Sequence, residues 1–245
     1  MDLWSHTGKS NFQNISCYKH NKVQYTSCSP ENTRELVTEF LDFYDSKIQK
    51  DLLKLFNSTA LEVCEGQQLD IEFEKKTDID FDDYIEMITK KTSVLIASSI
   101  KMGGIINQLD SGELDILYDI GLNLGIAFQI QDDYLDLFGN EKIIGKKVGQ
   151  DVIKNKKTAL HHLFVNTASE AQLSKYHDYT NINNDDEKIE KIKSLFIESD
   201  VEKSLKKLIQ EYSNNATCAI ESLNPKFSKT SDLILLSEFL LKRNY

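Results

Sequence analysis

Apolar residues along most of this chain recur with helical spacing. From residue 31 they return every three or four positions, which predicts one or two amphipathic helices continuing to about Phe73. The apolar positions of this first stretch are Leu36, Phe40, Phe43, Ile48, Leu52, Leu55 and Phe56. Residues 1–30, in contrast, are polar and lack sustained periodicity, so we expect them to be irregular.

Two further helical stretches follow in the middle of the chain. The second should begin after the acidic turn at Asp78 and Asp80 and end or bend near residues 103–104, where two glycines are adjacent. Its buried stripe should consist of Tyr84, Met87, Ile88, Val94, Leu95 and Ile96. The third, from about Leu114 to Phe138, is apolar over much of its circumference and should be central. Gly121 and Gly125 would let neighbouring helices approach it closely.

The remaining sequence favours an all-α fold. A glycine- and lysine-rich segment after Phe138 predicts a loop, and helical spacing then resumes at about Lys154, interrupted by polar residues 181–186. With only two prolines and ten glycines, the chain has few of the turn-forming residues that many short strands would need. No internal repeat or linker divides it, so we expect a single helix bundle over residues 31–245.

Composition and charge narrow the class of function. The chain has 40% hydrophobic residues and a net charge of -10, which is typical of a packed globular protein and argues against general nucleic-acid binding. Its four cysteines form no C-x-x-C pair, so they indicate neither a zinc site nor a disulfide framework and favour a cytoplasmic location. Without a targeting segment or an apolar run of about eighteen residues, stable membrane insertion is not expected.

The end of the third helix carries an unusual group of polar side chains. Asp132 and Asp136 are four residues apart and lie one above the other, while Asp133 lies about 100° to the side. Like charges so close together repel each other, and a divalent cation would remove the conflict. Carboxylates without neighbouring His or Cys favour Mg²⁺, which commonly also binds phosphate oxygens. The simpler alternative is a solvated acidic helix end.

Several short motifs around this cluster occur in the order found in one known family. Residues 65–70 contain G-Q-x-x-D, residues 91–92 a K-T pair, and residues 128–136 the aspartate-rich stretch. G-K, G-x-D and N-K elements follow at residues 145–146, 149–151 and 155–156. From about residue 50 to the C terminus, the sequence resembles the trans-isoprenyl diphosphate synthases, also called polyprenyl synthetases.

The resemblance implies an isoprenoid-synthase-type helix bundle, shortened at its N terminus, and a role for each matching residue. It implies a Mg²⁺ site at Asp132, Asp133 and Asp136, assisted by Asp151, and diphosphate binding by Lys91, Lys146 and Lys156. Thr92 and Gln129 would lie near the reacting carbons, with Gln67 and Asp70 facing the same cavity from a neighbouring helix. Arg243 would correspond to a basic residue that closes the site.

The implied activity is the Mg²⁺-dependent condensation of an allylic diphosphate with isopentenyl diphosphate, in a homodimer or in a heterodimer with a complete homologue. The family's first aspartate-rich motif and its paired arginines have no counterpart before Gly66. Three alternatives therefore remain open: a non-catalytic partner subunit, another class of terpenoid enzyme such as a cyclase, and a structural helical interaction protein.

Overall fold

The computed structural model describes residues 15–19, 22–26, 46–76, 79–141, 145, 147–223 and 230–241. The chain divides into two compact units, residues 1–50 and 51–245. The first contains a β-hairpin of strands β1 (Ile15–Lys19) and β2 (Lys22–Thr26). The strands are antiparallel, with Ile15 opposite Thr26 and Lys19 opposite Lys22.

This hairpin differs from the irregular structure predicted for residues 1–30. Tyr18, Val23 and Tyr25 belong to the aromatic and β-branched types that favour strands. Each strand has only five residues, so its period-two pattern is too short to stand out in a polar segment.

The second unit is all-α in its described residues, as predicted. The long helices are α1 (Ser46–Phe73) and α4 (Ser111–Phe138). Between them lie α2 (Phe81–Ile88), a π-helical turn (Thr89–Ser93) and α3 (Val94–Ile106). After α4 come α5 (Gln150–Ile153), α6 (Ala159–Thr167), α7 (Glu170–Thr180), α8 (Asp185–Glu198), α9 (Val201–Ser222) and α10 (Thr230–Leu241).

Local sequence explains where several of these helices begin. The Asp80 side chain accepts a hydrogen bond from the backbone N–H of Asp83, whose own carboxylate accepts from the backbone of Asp80. Asp110 and Glu113 form the same capping box before α4. Such boxes satisfy N–H groups that have no partner inside the first turn of a helix. The interruption predicted at residues 181–186 corresponds to the gap between α7 and α8.

Helix α4 lies at the centre of the unit, as its apolar sequence predicts. A Cβ atom on Gly121 would lie 2.2 Å from the Cα of Ala97, and one on Gly125 would lie 2.4 Å from the Cα of Ser93. These two glycines therefore let α4 pack directly against α3 and the π-helical turn, which confirms the predicted close approach. Helix α4 also packs along α9.

Two apolar clusters form the core around α4. The larger includes Ile130 and Leu137 of α4 together with Phe164, Ile192 and Leu205, all of them buried. The smaller joins the first half of α4 to the end of α9 through residues such as Ile120 and Ile220. Among the helices described, none is long and apolar enough to cross a membrane.

Candidate functional site

The K-T pair lies on the π-helical turn, directly against helix α1. A Cβ atom on Gly66 would come within 2.3 Å of the Lys91 backbone nitrogen and 2.7 Å of the Lys90 carbonyl carbon. Only glycine allows this contact without displacing backbone. π-Helical turns interrupt regular helices and are frequent at functional sites. The G-Q-x-x-D segment therefore supports the turn that presents Lys91 and Thr92.

Two lysines from different parts of the chain meet at Asp70 of α1. The Asp70 carboxylate lies 2.5 Å from Lys91 Nζ and 3.3 Å from Lys156 Nζ. Burial raises the pKa of Asp70, but the two ammonium groups outweigh that effect and hold the pKa below its ordinary value. Burial lowers the pKa of Lys156, and Asp70, Asp151 and Asp133 reverse the shift and raise it. The carboxylates around Lys156 thus favour its charged form, and both ammonium groups meet at one carboxylate.

A hydrogen-bonded chain connects the π-helical turn to the acidic end of α4. Thr92 Oγ1 donates to Gln129 Oε1 at 2.9 Å, and Gln129 Nε2 lies 3.4 Å from Asp133 Oδ1. The other oxygen of Asp133 accepts from the Tyr84 hydroxyl at 2.6 Å and from the Ala159 backbone N–H at 3.1 Å. These bonds fix the Thr92 and Gln129 side chains in one orientation.

Asp133 is buried, with only 6% of its surface exposed. Burial raises the pKa of its carboxyl to about 6, although the Tyr84 and Ala159 hydrogen bonds act in the opposite direction. Burial and the neighbouring Asp133 charge also raise the pKa of Tyr84 well above its ordinary value. Tyr84 therefore stays a neutral donor, and Asp133 is committed to contacts within the protein.

Asp136 organises the segment that follows α4. Its carboxylate accepts a hydrogen bond from the Asp151 backbone N–H at 3.0 Å, and its carbonyl oxygen accepts from the Gly149 N–H. Gly149 has φ of 78°, in the left-handed region that favours glycine. The G-x-D element thus turns the chain so that α5 starts beside the aspartate-rich motif.

A cleft of about 540 Å³ opens beside these residues. Its wall contains Asp70 and Phe73 of α1, Glu74 directly after that helix, and Met87 of α2. The facing wall is the short segment from Lys154 to Lys157, which contributes three lysines and Asn155. The cleft therefore combines an apolar patch with more ammonium groups than carboxylates, which suits a ligand that has both an anionic and an apolar part.

The structure places the predicted site residues unevenly. Three contact sets are formed: Thr92, Gln129 and Asp133; Asp136 and Asp151; and Lys91, Lys156 and Asp70. Gln67 is exposed and does not line the cleft that Asp70 lines. Lys146 and Arg243 lie outside the described residues.

The contacts of the predicted metal ligands indicate which of them could hold an ion. Across the described ranges, no three His, Cys, Asp or Glu side chains converge in a metal-binding arrangement. Asp133 already accepts hydrogen bonds on both oxygens, and Asp136 accepts one. Mg²⁺ typically takes one or two protein carboxylates and completes its shell with water and phosphate oxygens. Asp132, which is half-buried, and Asp136 therefore fit an ion that binds together with a diphosphate.

Two polar residues important to this geometry were not among the predicted site residues. Tyr84 was assigned only to the buried stripe of its helix, and nothing in the local sequence indicates that its hydroxyl reaches Asp133, 49 positions away. Lys188 is buried on α8, where its Nζ donates to the carbonyl oxygen of Ile153 at 3.1 Å. Helical spacing alone would place it on the buried side of α8, in line with Ile192 and Leu195.

The central helix of the bundle ends in carboxylates, and Lys156, which meets Lys91 at Asp70, lies within electrostatic range of Asp133 and Asp151. Such an arrangement suits an anionic ligand that binds together with a cation. The family can be named from comparison with known sequences. A model of the polyprenyl synthetase family matches residues 33–198, more than half of the chain, and the chain belongs to this family.

Individual relatives match this chain over part of their length. A short chain isoprenyl diphosphate synthase from Methanothermobacter thermautotrophicus is 40% identical over 126 residues, which are 51% of this chain and 39% of the relative. A geranylgeranyl diphosphate synthase from Saccharolobus solfataricus is 38% identical over 137 residues, 56% of this chain and 40% of the relative. This chain thus spans well under half the length of these two relatives.

A solved structure supports the same relationship. A crystal structure of a geranylgeranyl pyrophosphate synthase superposes with a TM-score of 0.77 and 36% sequence identity. The match covers 84% of this chain and 65% of the other. It confirms the predicted all-α, isoprenoid-synthase-type fold.

Proposed function

We propose that this chain acts as a trans-prenyltransferase of isoprenoid biosynthesis. It would condense an allylic diphosphate with isopentenyl diphosphate to give a longer polyprenyl diphosphate. The observation that carries the proposal is the convergence of Lys91 and Lys156 on Asp70, at a cleft whose Lys156 also borders Asp133 and Asp136 of α4. The names of the relatives support the same reaction class.

In this proposal the two lysines bind the diphosphate of the allylic substrate. Without a ligand, Asp70 compensates their charge and holds both ammonium groups at one place. A diphosphate entering the cleft would meet donors that are already oriented, so little side-chain ordering would oppose its binding. Mg²⁺, held through Asp132 and Asp136, would supply electrostatic stabilisation of the leaving diphosphate.

The remaining residues would control the surroundings of the reacting carbons. Phe73 and Met87 supply an apolar wall on which an isoprenoid chain can lie. Thr92 and Gln129 are fixed by their mutual hydrogen bond and would line the site near the allylic carbons. The proposal also includes Mg²⁺ as the ion, a cytoplasmic location, and assembly as a homodimer or as a heterodimer with a complete homologue.

A product assay tests this function directly. The purified chain is incubated with labelled isopentenyl diphosphate and dimethylallyl diphosphate, with and without Mg²⁺, and extracted products are separated by length. We expect Mg²⁺-dependent products whose formation falls at least about 100-fold in Lys91→Met and Lys156→Met, because each removes an ammonium group that would stabilise the negative charge developing on the leaving diphosphate. Lys203→Met, at an exposed position of α9, is the matched control.

Absence of product from the wild-type chain, alone and with a complete homologue added, would contradict the proposed activity. Equal product from the wild type and both cleft variants would contradict the assignment of the site.

A further inference from the structure

Lys188 is a buried lysine that the proposed function does not yet use. It lies near the start of α8 with 4% of its surface exposed, and its Nζ donates to the Ile153 carbonyl oxygen at 3.1 Å. Burial lowers the pKa of Lys188, while the nearby Asp185 carboxylate acts in the opposite direction. An ammonium group that gives up contacts with water on folding is costly unless it binds an acceptor. The bond to Ile153 is therefore a specific contact.

Two neighbours of Lys188 on α8 contact the same stretch of chain. Asp186 forms an ion pair with Lys147 at 3.0 Å. Ile189 packs against Gly149, where a Cβ atom would lie 2.6 Å from the Ile189 side chain. The start of α8 thus contacts the segment 147–153 at three points, namely Lys147, Gly149 and Ile153.

The segment held in this way leads to the residues of the proposed site. It contains Asp151, whose backbone N–H is bonded to Asp136, and it is followed directly by Asn155 and Lys156. Its only helix, α5, has four residues, which is too short to be stable by itself. Asn155 has φ of 52°, in the left-handed region, which asparagine adopts more readily than most residues other than glycine. Because α5 is so short, contacts with other elements must hold this segment in place.

We propose that Lys188 is a positioning residue for diphosphate binding. Its ammonium group binds the C-terminal carbonyl of α5 and so fixes the point from which residues 154–157 enter the cleft. Lys156 then meets Asp70 and Lys91, and Asp151 stays beside Asp136. This inference rests on the proposed function for its ligand, although its structural part can be measured without any ligand.

The main alternative is that Lys188 only stabilises the fold. Removing the ammonium group would then lower the unfolding temperature and leave the affinity of the folded protein for diphosphate unchanged. A positioning role requires a change in affinity at temperatures where every variant is fully folded.

The test compares Lys188→Met with Lys191→Met. Lys191 is exposed and lies about one turn further along α8, where it pairs with Glu187 at 2.7 Å and lies over the ring of Tyr179 at 5.5 Å. Affinity for magnesium pyrophosphate is measured by calorimetry below the unfolding transition, and hydrogen exchange is followed by mass spectrometry. In Lys188→Met we expect affinity to fall about tenfold or more, because small displacements of binding groups have large effects. Exchange should accelerate at residues 147–157, and Lys191→Met should match the wild type.

Lys188→Arg should restore most of the affinity, since guanidinium can donate to the same carbonyl. If the Met variant does not fold, Lys188→Leu, which also lacks a donor, takes its place with the same readouts. Affinity within twofold of wild type, or unchanged exchange at residues 147–157, would overturn the inference. A wild-type chain that binds no magnesium pyrophosphate would count against the proposed function, and hydrogen exchange alone would then decide whether Lys188 holds the segment.

Discussion

Replacing Gly66 with alanine should damage the site more than the fold. The new methyl group would lie 2.3 Å from the Lys91 backbone nitrogen, whereas ordinary contacts between such atoms are about 3.5 Å. Relief requires α1 and the π-helical turn to separate by about 1 Å, because backbone cannot rotate away as a side chain can. Overpacking of this kind typically costs about 1 to 3 kcal/mol of unfolding free energy.

The same displacement should weaken ligand binding. Lys91 and Thr92 lie on the turn that must move, and Asp70 lies one turn further along the helix that pushes it. A shift of about 1 Å in positioned groups can reduce activity about 100-fold. Gly66→Ala should therefore lower both the urea midpoint of unfolding and, among folded molecules, the affinity for magnesium pyrophosphate.

Gly103 offers a matched control on α3. A Cβ atom there would have no heavy atom within 4 Å, and the residue is exposed. Alanine in a helix is more favourable than glycine, so Gly103→Ala should raise the unfolding free energy by up to about 1 kcal/mol and leave binding unchanged. Equal stability and affinity in wild type and Gly66→Ala would refute the argument that this glycine is required by backbone contact.

Three further substitutions test two residues of the Asp133 network and His161 of α6, whose Nδ1 lies 3.0 Å from the Tyr176 hydroxyl. Tyr84→Phe removes a donor to the buried Asp133 carboxylate and should cost about 1 to 3 kcal/mol in urea unfolding at pH 7. The pKa of folded Asp133, about 6, exceeds its unfolded value of 3.8, so its contribution to stability decreases by about 3 kcal/mol as pH rises from 4 to 6. Subtracting the pH profile of the unfolding free energy of Asp133→Asn from that of the wild type should isolate this contribution. A difference that does not change with pH would contradict the raised pKa. The pH dependence contributed by His161 has the opposite sign. Burial lowers the pKa of His161 from 6.5 to about 4, so the unfolding free energy should fall by about 3 kcal/mol as pH drops through this range. His161→Gln should remove that loss.

Most of the helical fold could be predicted because its apolar periodicity is visible in the local sequence. Helix α4 was recognisable because apolar residues surround much of it, and Gly121 and Gly125 indicated where neighbours approach. The hairpin in residues 15–26 was missed because two five-residue strands carry little periodic signal.

The site was predictable only where motifs had known counterparts. Gln67 was expected to face the cavity with Asp70, yet it lies about 100° around α1 from Gly66, which faces the π-helical turn. Asp70 lies only about 40° from that direction, so helical geometry already separates the two. Contacts such as Lys188 with Ile153 join residues 35 positions apart and leave no local trace in the sequence.

The most direct test of the account is thermal unfolding of the wild type and Asp132→Ala with Mg²⁺, with an allylic diphosphate, and with both. The account predicts that both ligands together raise the wild-type midpoint, by about 5 to 10 °C at 100-fold saturation, and that either ligand alone has little effect. The shift should be largely lost in Asp132→Ala, which removes a carboxylate assigned to the ion. No shift in the wild type, or an equal shift in the variant, would contradict a magnesium diphosphate site at the end of α4.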